Sequence, residues 1–303
     1  MQIFIIGGMI LRNRFLEYLL DENPKKTISK LGTIIRKAIN PLVRFVVPFT
    51  AKTKLKIIRS AKMPKGPVIF CSTHGFKDDI VDAVVMAKKQ TYILIGALSQ
   101  IMHSFDGIYA WINGCILLDR MKKSSRKASK DKMLRALGLG SSVLIFPEAT
   151  WNNSPNQMTS GLFSGFYDLA VASGFPVAVI ATHREGKNVY GILDEAFDVT
   201  KFTREEGVKI LRDKMSSLRW ELMEKYSKIK RSALPYGLEA DKYWENHINS
   251  LIAEVEFWDH EGEIQSKFID KTITEPSVAF LHLKHLVPNK NNAFLFNKRL
   301  GRI

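Results

Sequence analysis

Five short apolar segments, separated by stretches with helical periodicity, constrain the fold of this chain more than any other feature of its sequence. The apolar segments cover residues 68–71, 91–96, 115–118, 142–146 and 177–181. Helical patterns lie between several of them, at residues 78–86, 124–137 and 161–173. Strands that alternate with helices are typical of sheets with helices packed against them. The sequence therefore predicts an α/β fold with a central sheet flanked by helices.

Polar side chains follow three of the predicted strands directly. His74 comes just after the first strand, Asp119 and Arg120 after the third, and Glu148 after the fourth. Because such residues gather along one edge of an α/β sheet, we expect them to form a site. Two alternatives stay open at this point, since Asp119 and Arg120 are also compatible with a surface ion pair and Glu148 with a plain turn.

Each of these side chains has a chemistry suited to a site. His74 precedes a helix that begins near Asp78 and Asp79, so a carboxylate can hold one imidazole nitrogen while the other faces a substrate. A histidine oriented in this way is a general base near neutral pH. Arg120 offers a fork of donors for phosphate or carboxylate. Glu148 could accept hydrogen bonds from substrate hydroxyls or fix Arg120, and Gly114 would allow a substrate close to the backbone.

The order and spacing of these residues resemble the glycerolipid acyltransferase family, which includes lysophosphatidic acid (1-acylglycerol-3-phosphate) acyltransferases. The resemblance covers roughly residues 67–199 and rests on four blocks in sequence. These blocks are His74-x4-Asp79, Gly114-x-Ile116-x-x-Asp119-Arg120, Phe146-Pro147-Glu148-x-Thr150, and a strand that begins Pro176-Val177. It implies an acyltransferase fold and the transfer of a fatty acyl group from acyl-CoA or acyl carrier protein to a lysophospholipid hydroxyl.

The resemblance also implies roles for individual residues. His74 would deprotonate the acceptor hydroxyl, and Asp79 would orient it, with no metal and no cofactor besides the donor substrate. The remaining motif residues would form the acceptor site, with Arg120 on the phosphate. This substrate-binding set is Gly114, Arg120, Phe146, Pro147, Glu148 and Thr150.

The third block departs from the family pattern at two positions. The family reads Phe-Pro-Glu-Gly-Thr followed by Arg or Ser-Arg, whereas this chain has Ala149 for the glycine and Trp151 for the arginine. A cation that could share the acceptor phosphate is therefore missing, and a residue among Lys122, Lys123, Arg126 and Lys127 could replace it. The expected acceptor is 1-acylglycerol-3-phosphate, with a glycolipid, another lysolipid or glycerol-3-phosphate as alternatives.

The net charge of +15 is concentrated in two basic blocks, at residues 12–65 and 119–135. Residues 28–49 show a helical apolar stripe with Lys30, Lys37 and Arg44 on another face, and Pro41 and Pro48 are expected to kink or end this helix. A basic amphipathic segment of this kind, assigned to residues 1–66, favours contact with an anionic membrane surface. The alternative is a stripe that packs on the protein's own core.

These patterns bound the location and the partners. We expect a peripheral or monotopic protein at the cytoplasmic face of a membrane. Aromatic residues are not interleaved with the basic blocks, so nucleic acid is not an expected partner. A non-catalytic basic membrane-binding protein remains an alternative. Cys71 and Cys115 lie in apolar runs and indicate core packing in a reducing compartment.

The rest of the chain is divided by composition. Residues 67–234 are expected to form the acyltransferase domain, which ends in a long helix over residues 203–231. Thr203 and Glu206 have the spacing of a capping box at its start. Residues 235–303 are predicted to be a C-terminal extension of unknown role.

Overall fold

The computed structural model of the protein describes residues 14–96, 106–152 and 158–228, together with the single positions 242, 246 and 250. The apolar first eleven residues lie outside these ranges, as does the predicted C-terminal extension apart from those three positions. Within the described ranges the chain alternates strands and helices. The strands are β1 (Lys54–Ser60), β2 (Ile69–Ser72), β3 (Thr91–Ile95), β4 (Cys115–Leu117), β5 (Ser142–Ile145), β6 (Val177–Glu185) and β7 (Asn188–Leu193).

The helices include the three that were expected between strands. They are α1 (Pro24–Thr27), α2 (Lys30–Val46), α3 (Asp79–Ala87), α4 (Asp106–Asn113), α5 (Lys123–Gly138), α6 (Gly165–Ser173) and α7 (Arg204–Tyr226), with 3₁₀ turns at Val47–Thr50 and Val199–Lys201. Residues 14–20 are also helical. The predicted capping box at Thr203 and Glu206 opens α7, where each side chain accepts a hydrogen bond from the backbone of the other.

A seven-stranded sheet in the order β1-β7-β6-β2-β5-β3-β4 forms the centre of the fold. All neighbouring strands are parallel except the β6–β7 pair, which is antiparallel. The predicted α/β architecture and its five strands are confirmed. Two strands at one side of the sheet, β1 and β7, had not been assigned from sequence. Because β2, β3, β4 and β5 run in one direction, the residues that follow them share one edge of the sheet.

Helices cover both faces of the sheet. Helices α5, α6 and α7 pack one face, where Ala136, Leu169 and Leu211 belong to a continuous buried cluster with strand residues such as Ile69. Helix α3 covers the other face with Ala83, Met86 and Ala87, joined by Leu19 from helical residues 14–20. Burial on both faces explains why strands β2, β5 and β6 read as continuous apolar runs rather than as alternating patterns.

Helix α2 docks on the domain through its polar side. The Thr33 and Tyr92 hydroxyls are 2.9 Å apart, Arg36 donates to the backbone carbonyl of Trp111, and Lys37 donates to that of Leu139. From Leu31 onward the apolar stripe therefore faces outward, whereas Ile28, which precedes the helix, packs in the core. Six apolar side chains of α2 and of the 3₁₀ turn that follows it are at least half exposed: Leu31, Ile34, Ile35, Leu42, Phe45 and Phe49.

Proline 41 does not end this helix, which continues to Val46 before the Val47–Thr50 turn containing Pro48. A proline inside a helix removes one backbone hydrogen bond, here to the carbonyl four residues earlier. Within the described residues, no helix combines the length and the apolar character needed to cross a membrane.

Candidate functional site

The turn between β2 and α3 places His74 against Asp79. The Asp79 side chain is fully buried at the first turn of α3, and its Oδ2 lies 2.9 Å from Nδ1 of His74. The same oxygen accepts hydrogen bonds from the backbone amides of Gly75, at 2.7 Å, and Phe76, at 3.2 Å. With Nδ1–H donated to Asp79, Nε2 is the imidazole nitrogen available to a substrate. The His74 side chain retains 15% exposure, enough for access.

Glu148 braces this turn from the end of β5. Its Oε1 accepts a hydrogen bond from the backbone amide of His74 at 3.1 Å, and its Oε2 accepts one from Ser160 at 2.8 Å. The side chain is 1% exposed, and this burial raises the pKa of the Glu148 carboxyl, while the positive charge of Arg219 opposes the shift. Both carboxylate oxygens are thus engaged by backbone amides, which favours a structural task for Glu148.

The residues that follow Glu148 form a strained turn. Ala149 has φ +59°, a left-handed conformation that costs an alanine more than a glycine. The resemblance to the acyltransferase pattern places a glycine at this position. The Ala149 amide donates to the Phe146 carbonyl at 2.9 Å, and the Asn152 amide donates to the carbonyl of His74 at 2.9 Å. The strained turn therefore joins the Phe146–Thr150 block to the histidine turn.

A cavity of about 240 Å³ opens beside His74. Its apolar part is formed by side chains of α3 and β3, namely Ile80, Val81, Val84, Ile93 and Ile95. Three cationic residues also line it, Lys52, Lys77 and Arg120. The aromatic rings of Phe146 and Trp151 flank the imidazole, with ring centres 4.4 and 6.2 Å from that of His74. The cavity therefore combines apolar walls with cationic and polar side chains, and it includes the imidazole in its lining.

Four of the eight predicted site residues line this cavity, and a fifth, Asp79, contacts His74. His74, Arg120, Phe146 and Thr150 line it. Gly114, Pro147 and Glu148 are not among its lining residues. Gly114 has φ +114°, and a Cβ there would come within 2.9 Å of the Tyr92 ring, so the glycine is required for packing. The Pro147 carbonyl accepts a hydrogen bond from the Phe163 amide.

Arg120 lies against a glycine that the sequence had not singled out. A Cβ on Gly96, directly after β3, would overlap with Nε of Arg120. Gly96 thus leaves the space in which the guanidinium group lies at the cavity wall. The position of Gly96 directly after a strand, at the same sheet edge as His74, was the signal by which the sequence could have identified it. The α5 cations considered as replacements are not lining residues, and Arg126 instead donates to the backbone carbonyl of Arg120 at 2.6 Å.

The hydroxyl group of Thr150, a lining residue, is a further polar group at the cavity. It is buried, and its Oγ1 has no hydrogen-bond partner among the described residues. A buried hydroxyl without a partner costs free energy, and a substrate group could supply one. Within the same described part of the chain, no three His, Cys, Asp or Glu side chains form a group that could hold a metal ion.

Comparison with known proteins gives concordant results. Residues 54–183 match the family model described as Acyltransferase. The chain is 26% identical to a 1-acyl-sn-glycerol-3-phosphate acyltransferase from Haemophilus influenzae over 169 residues, which are 52% of this chain and 67% of that protein. The fold is similar to the crystal structure of the 1-acyl-sn-glycerophosphate (LPA) acyltransferase from Thermotoga maritima. The two structures align with a TM-score of 0.52 at 18% sequence identity, and the alignment covers 64% of this chain and 83% of that one.

Proposed function

We propose that this chain, which carries an acyltransferase-family domain over residues 54–183, moves a fatty acyl group from a thioester to a lysophospholipid hydroxyl. The acceptor that the site fits best is 1-acylglycerol-3-phosphate, and the donor is acyl-CoA or acyl carrier protein. The observation that carries this proposal is the His74–Asp79 contact of 2.9 Å at a cavity that combines apolar walls with cations.

The proposed chemistry needs only groups that the chain supplies. Nε2 of His74 takes the proton of the acceptor hydroxyl as its oxygen attacks the thioester carbonyl. The tetrahedral intermediate then collapses, the carbon–sulfur bond breaks, and the thiolate leaves. The proton held by His74 passes to the thiolate, so that the ester and the free thiol are the products. Asp79 fixes the imidazole tautomer and stabilises the imidazolium ion that forms between these steps.

The apolar and the cationic lining residues of the cavity fit the two halves of the substrates. The apolar side chains of α3 and β3 are suited to an acyl chain, which they would shield from water. Arg120 is suited to the acceptor phosphate because its planar guanidinium group binds phosphate in a bidentate manner. Lys52 and Lys77 line the same cavity, whereas the four cations considered at residues 122–127 do not. We therefore propose that Lys52 and Lys77 share the phosphate charge.

A second candidate acceptor follows from Thr150 and Trp151. A tryptophan stands where the family pattern has an arginine, and the buried Thr150 hydroxyl beside it is a hydrogen-bonding rather than a charged group. A glycolipid or a lysolipid without an exposed phosphate monoester would use that hydroxyl and stack on the indole ring. The catalytic chemistry at His74 would be unchanged.

Membrane association belongs to the same proposal. The exposed apolar side chains of α2 and of the Val47–Thr50 turn form a surface, here called the α2 apolar face, comprising Leu31, Ile34, Ile35, Leu42, Phe45 and Phe49. Val47 and Thr50 also line the cavity, so this face adjoins its wall. Because lipid substrates reside in a bilayer, an apolar face next to the cavity suits delivery of the acceptor from the membrane interface. In this proposal residues 1–66 are the membrane-associating segment and also contribute β1 to the sheet, residues 67–234 form the acyltransferase domain, and residues 235–303 are a C-terminal extension.

The test is thiol release from acyl-CoA with a panel of lysolipid acceptors in mixed vesicles. His74→Ala should lower kcat about 10²- to 10⁴-fold, the usual contribution of a general base. Arg120→Ala should raise KM for phosphorylated acceptors, and Lys122→Ala, which removes an exposed cation outside the cavity, serves as its matched control. Turnover only on acceptors without phosphate, unaffected by Arg120→Ala, would favour the second candidate. Full activity of folded His74→Ala would overturn the proposal.

A further inference from the structure

A buried cluster of carboxylates surrounds the histidine turn, and its balancing cation comes from outside the matched family segment. Asp79, Asp82 and Glu148 are all at most 3% exposed. Burying several carboxylates together is costly unless cations or hydrogen bonds compensate the charge. Arg184 of β6 faces Asp82. The positive charge of Arg219 on α7, 36 residues beyond the end of the matched segment, acts on both Asp79 and Glu148.

Arg219 lies directly against the turn that carries His74. A Cβ built on Gly75 would be 3.2 Å from Nη2 of Arg219, so the guanidinium group is in contact distance of the Gly75 backbone. Its Nη1 donates to the carbonyl of Met158 at 3.0 Å. Arg219 is not one of the lining residues of the cavity. It therefore approaches the turn from outside the substrate space.

The segment held by Arg219 is the one that also holds Glu148. Met158 accepts from Arg219, the Thr159 hydroxyl lies 2.7 Å from that of Ser216 on α7, and the Ser160 amide donates to Glu148. Glu148 in turn accepts from the amide of His74. A continuous chain of contacts thus runs from α7 through residues 158–160 and Glu148 to the histidine.

We propose that Arg219 is a positioning residue for the proposed acyl transfer: its charge compensates the buried Asp79 and Glu148 carboxylates, and its hydrogen bond to Met158 fixes the segment that holds Glu148, so that both acids hold His74 in place. The inference rests on the proposed function for its catalytic consequence only. Arg219 touches no substrate in this account. It acts through the two carboxylates and through the carbonyl of Met158.

If Arg219 acts through its charge, its removal should shift the pH dependence of activity in one direction, whereas a purely packing role predicts no such shift. Burial already raises the pKa of the Glu148 carboxyl, and the positive charge of Arg219 opposes the rise. Removing that charge therefore raises the pKa of Glu148 further. In Arg219→Gln, Glu148 should bind a proton at a higher pH than in the wild type. The acidic limb of the kcat/KM profile should move to higher pH by about 1 unit.

The same change has a signature in stability that needs no turnover. A folded state with raised carboxyl pKa values loses stability as pH rises through those values. The difference in unfolding free energy between the wild type and Arg219→Gln should therefore widen from pH 5 to pH 8. Loss of the Met158 hydrogen bond alone would give a difference that does not change over this range.

The experiment measures urea unfolding from pH 5 to pH 8 and the pH profile of kcat/KM for the full chain and three variants. Arg219→Gln should lower kcat about 10-fold or more with little change in acceptor KM, as expected when a catalytic group is misplaced. Arg219→Lys keeps the charge and should restore both pH signatures. Lys209→Gln removes an exposed cation of the same helix, and it should leave both signatures as in the wild type.

The outcomes separate this inference from the proposed function. A wild-type protein without acyl transfer would contradict the proposed function, yet the widening stability difference would still support the charge role of Arg219. A stability difference that stays constant with pH, or Arg219→Lys behaving as Arg219→Gln, overturns the inference even if acyl transfer is demonstrated. A rise in acceptor KM alone would also overturn it, because it would make Arg219 a substrate ligand.

Discussion

At the scale of single residues, the backbone of Ala149 carries strain next to the candidate catalytic histidine. Its φ of +59° is accessible to glycine without penalty, and an alanine there pays about 1–2 kcal/mol. The strain is held by the hydrogen bonds on either side, from Ala149 to Phe146 and from Asn152 to His74. Ala149 is also one of the lining residues of the cavity. The alanine at the glycine position of the family pattern thus adds backbone strain at the cavity, at a cost in stability.

We predict that Ala149→Gly leaves the protein at least as stable, or stabilises it by up to about 1 kcal/mol. Relief of the left-handed strain is partly offset by the greater entropy of glycine in the unfolded chain, which is about 0.4–1 kcal/mol. Thermal and urea unfolding measure the change. The matched control is Ala172→Gly, at an exposed position of α6 with helical geometry, which should cost about 1 kcal/mol. Equal destabilisation by both substitutions would contradict the assigned conformation.

At the scale of secondary structure elements, α2 has an arrangement opposite to that of a typical surface helix. Buried Thr33 and Asn40 face the domain, while Leu31, Leu42 and Phe45 are 62–68% exposed. Exposed apolar patches on a protein surface mark interaction sites. The helix is attached by polar contacts such as that of Lys37 with the Leu139 carbonyl, so it can present apolar side chains without leaving the domain.

We predict that the triple variant Leu42→Ser, Phe45→Ser and Phe49→Ser loses affinity for lipid vesicles. Each side chain contributes up to about 1.5–3 kcal/mol when fully buried, so partial burial of three predicts a fall of about tenfold or more in the partition coefficient. Liposome flotation measures it. Serine substitutions at Val171 and Phe202, exposed apolar residues elsewhere on the surface, are the control. Unchanged flotation of the triple variant would refute a membrane role for the α2 apolar face.

The elements themselves were readable from sequence to different extents. The five strands with apolar runs and helices α3, α5, α6 and α7 were predicted because burial on both faces or a clear helical period leaves a strong local signal. Strand β1 was missed because Lys54, Lys56 and Arg59 interrupt it, although an edge strand with one exposed face allows that alternation. Of the two prolines expected to kink or end α2, Pro41 lies inside the helix and Pro48 lies in the 3₁₀ turn directly after its end.

At the scale of the whole molecule, the site depends on contacts between residues far apart in sequence. The location of His74, Arg120 and Glu148 at one edge of the sheet was predictable, because each follows a predicted strand. The engagement of Glu148 by the His74 and Ser160 amides was not, because backbone partners leave no pattern in side-chain identity. Arg219 is 71 positions beyond Glu148 along the chain, and within α7 it resembles any other surface arginine. Only the folded arrangement brings it to the histidine turn.

The buried acids also couple the stability of the molecule to pH. Burial, together with the charges of Asp79 and Asp78, raises the pKa of Asp82 from 3.8 to about 8, and Arg184 opposes the rise. A carboxyl with a raised folded-state pKa contributes stability that is complete below its unfolded value and is lost as pH rises. The fold should therefore become progressively less stable between about pH 4 and pH 8 on account of Asp82.

We predict that Asp82→Asn removes this loss. Near pH 3 the variant should match the wild type closely, because Asp82 is then protonated in both the folded and the unfolded state. Its advantage in unfolding free energy should grow above about pH 4, on the order of 1.4 kcal/mol per pH unit, and level off near pH 8. Urea unfolding at several pH values measures it. Asp131→Asn, at an exposed acid of α5, should give no such trend, and a pH-independent effect of Asp82→Asn would show that the pKa of Asp82 is not raised in the folded protein.

The central claim is that Asp79 orients His74 as the base for acyl transfer, and the most direct test compares two neighbouring acids. Asp78 lines the cavity and accepts a hydrogen bond from the Lys52 amide, whereas Asp79 contacts the imidazole. The measurement is kcat/KM for thiol release from acyl-CoA in the presence of 1-acylglycerol-3-phosphate. We predict a fall of about 10²- to 10⁴-fold for folded Asp79→Asn and less than about tenfold for Asp78→Asn. Equal losses in the two variants, or an Asp79→Asn enzyme within tenfold of the wild type, would contradict the account.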